Sequence, residues 1–254
     1  MLTAFALTLL LAPNPALAAS GTLTTTDGTE IKAHIAGEGS RCAVLLHGDQ
    51  RSGKDWRPFA EYLVEREMRV VVPDLRGHGE TGGPLTEASY TEMLKDVDAA
   101  VAHLAGAGCT RVALMGAELG AVLALNAAAA DTRVTNLVLL SPRLGAHGLK
   151  VSSAIAAYGD RPMLLIAGES DTSGVRAAGA LDGRAGGRHK MELVKGGSAG
   201  PMLVDQSAEL PGTIVSWLES DGLPVNQAGP RTSALRAGDG GGIETTGTRI
   251  GDAE

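Results

Sequence analysis

The chain has 254 residues, 44% of them hydrophobic and 20% charged, which suits a folded domain with one core and excludes a disordered composition. A formal charge of −7 excludes a partner held by a basic footprint, so no nucleic-acid partner is expected. Aromatic residues make up only 3%, so the core has to be built mostly from Ala, Leu and Val.

Leu2 to Ala12 form a short apolar run that Pro13 and Pro15 break. Ala16-Leu17-Ala18 then supplies the small-x-small pattern of a cleavage site, and residues 1–18 read as an export signal peptide. The run is too short to span a bilayer and no later stretch is a candidate. No stable membrane insertion is expected after cleavage, and the mature chain is expected in the periplasm or outside the cell. Two cysteines, Cys42 and Cys109, in an exported chain invite a disulfide.

Gly21 to Thr26 and Thr29 to Ala36 read as strands joined by an Asp27-Gly28 turn. Arg41 to Leu46 is a continuous apolar run, as expected of a buried parallel strand, and ends at His47-Gly48. Asp55 to Glu67 predicts an amphipathic helix with Trp56, Phe59, Ala60, Leu63 and Val64 on one face. A second buried strand, Arg69 to Pro73, leads into the loop Asp74-Leu75-Arg76-Gly77-His78-Gly79. Tyr90 to Ala105 is helical, Thr110 to Met115 a third buried strand, and Leu119 to Ala130 an Ala-rich helix. Further strands are predicted at Asn136 to Leu140, Met163 to Ala167 and Lys190 to Val194, and a last helix at Pro211 to Leu218, anchored by Trp217. Between the fourth and fifth parallel strands, Pro142 to Asp160 is too short for a cap domain but long enough for a small flap. Alternating strands and helices imply a parallel sheet covered on both faces, with the opening hairpin as an antiparallel edge. The domain is expected over residues 20–220. From 221 to 254 Gly, Thr, Asp and Arg dominate, which predicts a disordered tail.

Ligands of such sheets bind beyond the carboxyl ends of the strands. The decisive loop there is Gly116-Ala117-Glu118-Leu119-Gly120, between a buried strand and a helix. That is the context of the G-x-S-x-G nucleophile elbow. With His47-Gly48, the Asp74–Gly79 loop, Leu139-Leu140-Ser141-Pro142 and Gly168-Glu169-Ser170-Asp171, each at a strand end, the chain resembles the α/β-hydrolase superfamily, in particular small single-domain serine esterases.

The resemblance implies the α/β-hydrolase fold and a triad of nucleophile, acid and histidine. The nucleophile position holds Glu118, the acid maps onto Asp171, and the histidine position, in Gly196-Gly197-Ser198-Ala199-Gly200, holds Ala199. The oxyanion hole would use the backbone N–H groups of Leu119 and Asp49, with two carboxylates, Glu118 and Asp49, crowding the pocket. The resemblance also places Cys42 and Cys109 on neighbouring strands, close enough for a bridge. With two of three triad members missing, the leading expectation is a pseudoenzyme that binds a small-molecule or acyl-type ligand, or a partner, without turning it over. An active hydrolase using Glu118 as nucleophile or base, as aspartate is used in relatives such as epoxide hydrolases, is the alternative; a structural envelope protein is the third. His147 is the histidine best placed to rescue such a site. No cofactor and no metal site is expected; Glu118 is expected to pair with Arg51, Lys54, Arg143 or backbone N–H groups, and Asp49 to face solvent.

Overall fold

The computed structural model describes residues 19–220. The signal-peptide and tail expectations, 1–18 and 221–254, lie outside the described residues.

Eight strands form one sheet. In chain order they are β1 (Ala19–Thr24), β2 (Glu30–Ala36), β3 (Arg41–Leu46), β4 (Met68–Pro73), β5 (Val112–Ala117), β6 (Val134–Leu140), β9 (Met163–Gly168) and β10 (His189–Val194). A separate two-residue pair, β7 (Gly145–Ala146) and β8 (Leu149–Lys150), makes a small hairpin. The spatial order is β1-β2-β4-β3-β5-β6-β9-β10. β1 pairs antiparallel with β2 and β2 with β4, while every later pairing is parallel. This is the expected α/β-hydrolase architecture, a mostly parallel sheet with an antiparallel N-terminal hairpin and, among the described residues, no cap domain.

The helices are α1 (Arg57–Val64), α2 (Glu87–Gly106), α3 (Leu119–Ala130), α4 (Ser152–Tyr158), α5 (Thr172–Asp182) and α6 (Leu210–Glu219). They cover both faces, so the sheet has two cores. On one face Met93, Val97 and Leu104 of α2, Val122 and Leu125 of α3 and Ile155 of α4 pack on Val44, Leu114 and Leu139. On the other Phe59 and Leu63 of α1 and Ile214 and Trp217 of α6 pack on Leu45, Met115 and Leu164. Being buried from both sides is why the central strands read as unbroken apolar runs rather than alternating ones. Trp217 adds a directional tie, its Nε1 donating to Asn136 Oδ1 of β6 at 2.9 Å.

Several boundaries differ from expectation for local reasons. Asp55 to Glu67 divides into a 3-10 turn, Gly53–Trp56, and α1, which stops at Val64; Glu67 leaves helical geometry at φ 58°. α2 starts three residues before Tyr90 because Thr86 and Ser89 cap each other reciprocally. The flap over Pro142 to Asp160 holds the β7–β8 hairpin and α4. α5 was not expected, since Gly174 and Gly179 dilute its apolar stripe; it is started by Asp171, whose side chain accepts from Gly174 N.

Cys42 on β3 and Cys109, three residues ahead of β5, are joined by a disulfide with Cα atoms 6.1 Å apart. The bridge lies at the amino ends of the strands, opposite the site.

Candidate active site

Glu118 sits at the corner between β5 and α3 with φ 53° and ψ −108°, a region that side-chain-bearing residues rarely occupy. The corner is tight enough to need both flanking glycines. A Cβ on Gly116 would collide with the Gly120 carbonyl, and one on Gly120 with the Leu46 carbonyl. The turn is held from outside by Glu118 N donating to Leu140 O of β6 at 3.1 Å. So the elbow is sterically intact, and what it presents is a carboxylate at the positive end of α3.

Glu118 Oε1 accepts from Arg143 Nη2 at 3.1 Å, and Arg143 Nη1 donates to Asp171 Oδ2 at 2.9 Å. One guanidinium thus joins the nucleophile position to the acid position. Arg143 is itself fixed by the Ser141 and Pro142 carbonyls, at 2.9 and 3.1 Å. The Asp171 side chain is 7% exposed, against 31% for Glu118. Burial pushes the Asp171 carboxyl up, but the Gly174 N–H and Arg143 outweigh it and hold it below the usual carboxylate range.

Ala199 belongs to the loop after β10. That loop reaches the elbow: a Cβ on Gly200 would stand 3.5 Å from Glu118 Oε2. Gly200 N donates to Ser141 Oγ at 3.2 Å, and Ser141 is buried with φ 45°. The Leu119 N–H lies in the first turn of α3, where no intrahelical acceptor exists. Glu118 Oε2 lies 2.8 Å from where a Gly48 Cβ would be, next in the chain to Asp49, the second expected oxyanion donor. A carboxylate oxygen there disfavours a developing oxyanion.

Asp49 does not simply face solvent, as expected; it is the hub of a second cluster. Its Oδ2 is 3.1 Å from His147 Nε2, and its Oδ1 accepts from Tyr90 OH at 3.3 Å. The His147 ring, at the tip of the β7–β8 hairpin, stacks on Tyr90 with centroids 3.4 Å apart. His78 Nε2 approaches Asp49 Oδ1 at 3.5 Å, long for a hydrogen bond. Burial pushes the Asp49 carboxyl up; His147, with His78 and Tyr90, outweighs it and holds the group below its ordinary value. His147 is therefore engaged by Asp49 rather than poised over Glu118.

His47 is a turn residue. Its Nε2 accepts from Leu75 N at 3.1 Å, which leaves Nδ1 as the donor to Gly48 O at 2.8 Å. Burial lowers its pKa to about 4, so it is neutral. Among the described residues no group of His, Cys, Asp and Glu side chains is arranged to hold a metal. Arg51 and Lys54 pair elsewhere, with Asp55 and Glu80.

A sequence-family model described as serine aminopeptidase, S33, matches residues 38–161. The chain is 34% identical over 119 residues to a probable protein phosphatase methylesterase 1 of Caenorhabditis elegans, covering 45% of this chain and 33% of that one. It is 40% identical over 95 residues to epoxide hydrolase 3 of Siraitia grosvenorii, covering 37% and 30%. The match spans about a third of the length of these curated relatives. In structure the chain is similar to DcsB, solved with a substrate analogue, at TM-score 0.72 and 14% identity over 81% of this chain and 99% of that one. It is similar also to the Pyrococcus furiosus esterase Pf2001, at TM-score 0.70 and 16% identity over 81% and 90%. Together with the elbow at Glu118 and the strand order, these likenesses place the chain in the α/β-hydrolase superfamily.

Proposed function

We propose that the protein is an exported α/β hydrolase without triad catalysis, whose retained pocket binds a small-molecule or acyl-type ligand or a partner. One observation carries this reading: the Arg143 guanidinium joins Glu118 to Asp171. In a working triad an imidazole makes that link, because it can take the nucleophile's proton and return it. A guanidinium cannot be deprotonated in a protein, so it has no such capacity. The pair Glu118–Arg143 also engages the carboxylate, and no histidine contacts it among the described residues. An ester formed on Glu118 would have no base to activate the water that breaks it. The Cys42–Cys109 disulfide supports export, since such bridges persist in oxidising compartments.

The test is hydrolysis of short p-nitrophenyl esters and of a simple aryl epoxide by the purified protein and by Glu118→Ala. Both are expected to match the buffer rate. Turnover that Glu118→Ala abolishes would overturn the reading in favour of a carboxylate mechanism. A thermal-shift screen with short fatty acids and their esters addresses binding; no shift with any of them would favour a purely structural role.

A further inference from the structure

We propose that β10 is a homodimer interface, through which two copies of this chain join their sheets antiparallel about a two-fold axis at Met191. The inference does not depend on what the Glu118 site does.

β10 ends the sheet, pairing only with β9, and no strand lies beyond it among the described residues. Its hydrogen-bonding pattern can be assigned. Met163 N donates to Arg188 O and Glu169 N to Val194 O, each at 3.0 Å. In a parallel ladder both backbone polar groups of a residue point to one side, and the side alternates along the strand. Residues 188, 190, 192 and 194 therefore face β9. His189, Met191 and Leu193 turn their N–H and C=O groups to the open edge, a template for another strand.

Charge selects the partner and the register. A two-fold axis at Met191 sets Met191 opposite its own copy and His189 opposite Leu193, giving roughly six inter-strand hydrogen bonds. Lys190 then stands opposite Glu192 of the second copy, twice, at the non-hydrogen-bonded positions where Cα atoms approach to about 4.5 Å. Moving the axis to His189 would set Lys190 against Arg188, two like charges. Moving it to Leu193 would set Glu192 against Val194, with no opposite charge of the second copy facing it. Only the Met191 register is self-complementary, and self-complementarity is what a two-fold interface requires.

The surroundings fit. Lys190 Nζ and Glu192 Oε2 already pair within the chain at 2.8 Å, and both side chains are accessible, at 53% and 36% exposure, so the second copy's pair would complete an alternating cluster of four charges. Leu193 is 47% exposed, and the second copy's His189 would cover it. A shallow cleft between the outer side of β10 and the start of α6, lined by Glu192, Gln206, Leu210 and Thr213, leaves room for the incoming lysine stem.

Sedimentation velocity on the full chain at concentrations up to roughly 100 μM tests this. The expected result is a monomer–dimer equilibrium with no larger species. Lys190→Glu and Glu192→Lys each weaken dimerisation about tenfold, because both cross-strand pairs become repulsive. Mixing the two variants restores association, since each then meets its opposite charge, and the double variant Lys190→Glu/Glu192→Lys dimerises as the unaltered chain does. Circular dichroism of each variant shows that the fold is kept. A chain that stays monomeric throughout, single variants that associate normally, or a mixture no tighter than its components would overturn the proposal.

Discussion

Arg143 Nη1 donates to Asp171 Oδ2 at 2.9 Å and so engages the carboxylate that the family resemblance assigns as the triad acid. The carboxylate is 7% exposed, and its depressed pKa reflects the Gly174 N–H and Arg143 prevailing over burial. A depressed carboxyl contributes stability that is complete above its unfolded pKa and is lost as pH falls through the lower folded value. Arg143→Met should cost about 1–3 kcal/mol at neutral pH, because two carboxylates lose their shared cation. It should also bring the acid-side loss of stability to higher pH, as the Asp171 carboxyl rises. Urea unfolding across the acid range checks both; unchanged stability would make the bridge a contact of no consequence.

The same bridge decides whether catalysis can be restored. Glu118→Ser with Ala199→His replaces the missing hydroxyl and imidazole, yet leaves Arg143 bonded to the acid that the new histidine needs. The double variant should show little ester hydrolysis. Adding Arg143→Ala frees Asp171 and should raise kcat/KM on a short p-nitrophenyl ester by about tenfold or more over the double variant, since an unoriented base costs orders of magnitude in rate. Equal rates with and without Arg143→Ala would show that Arg143 is not what blocks the site.

The disulfide closes a sequence separation of 67 residues. On the chain-entropy account a loop of that length contributes about 4 kcal/mol. Cys42→Ala/Cys109→Ala should therefore lower Tm by about 10 °C. Dithiothreitol should lower the Tm of the unaltered protein similarly and leave the variant unmoved. A reductant-insensitive Tm in the unaltered protein would sink this.

Much of the architecture was legible because apolar runs such as Val70-Val71-Val72 and Met163 to Ala167 are buried on both faces and carry no alternation to confuse. The elbow was legible because its glycines are set by steric collision, which does not depend on the residue between them. Glu118 and Asp171 were placed by the order of landmarks, and the structure sets them on opposite sides of one guanidinium. What was not legible is the identity of that link. The sequence offers three cations as partners for Glu118, and nothing in sequence spacing says that the β6 loop turns Arg143 toward both acids; that follows from Ser141 at φ 45° and from carbonyls that clamp Arg143. Asp49 was misread as solvent-facing because its partners, Tyr90 and His147, lie 41 and 98 residues away. α5 was missed because its start depends on a cap from Asp171, a residue already assigned another role.

Arg76 and Asp96 supply the last prediction, away from the site. Asp96 is fully buried and accepts from Arg76 N at 2.9 Å and Nε at 2.8 Å, while Arg76 Nη1 reaches Asp27 at 3.0 Å and Glu92 at 3.1 Å. The network ties the β1–β2 turn to α2 and to the loop after β4. Burial raises the Asp96 carboxyl even with Arg76 beside it. Removing the arginine leaves a buried charge without a partner, so Arg76→Met should cost about 3–5 kcal/mol near neutral pH. The sign of its pH dependence is opposite to that of Asp171. An acid whose folded pKa lies above its unfolded one weakens the fold as pH rises through the folded value, and the substitution raises that value further. The deficit of Arg76→Met should therefore shrink as pH falls from neutral into the acid range and Asp96 takes up a proton. Adding Asp96→Asn should recover part of the loss at the higher pH. A deficit that is constant across this range, or one that Asp96→Asn deepens additively, would mean that Arg76 stabilises by packing rather than by pairing this carboxylate.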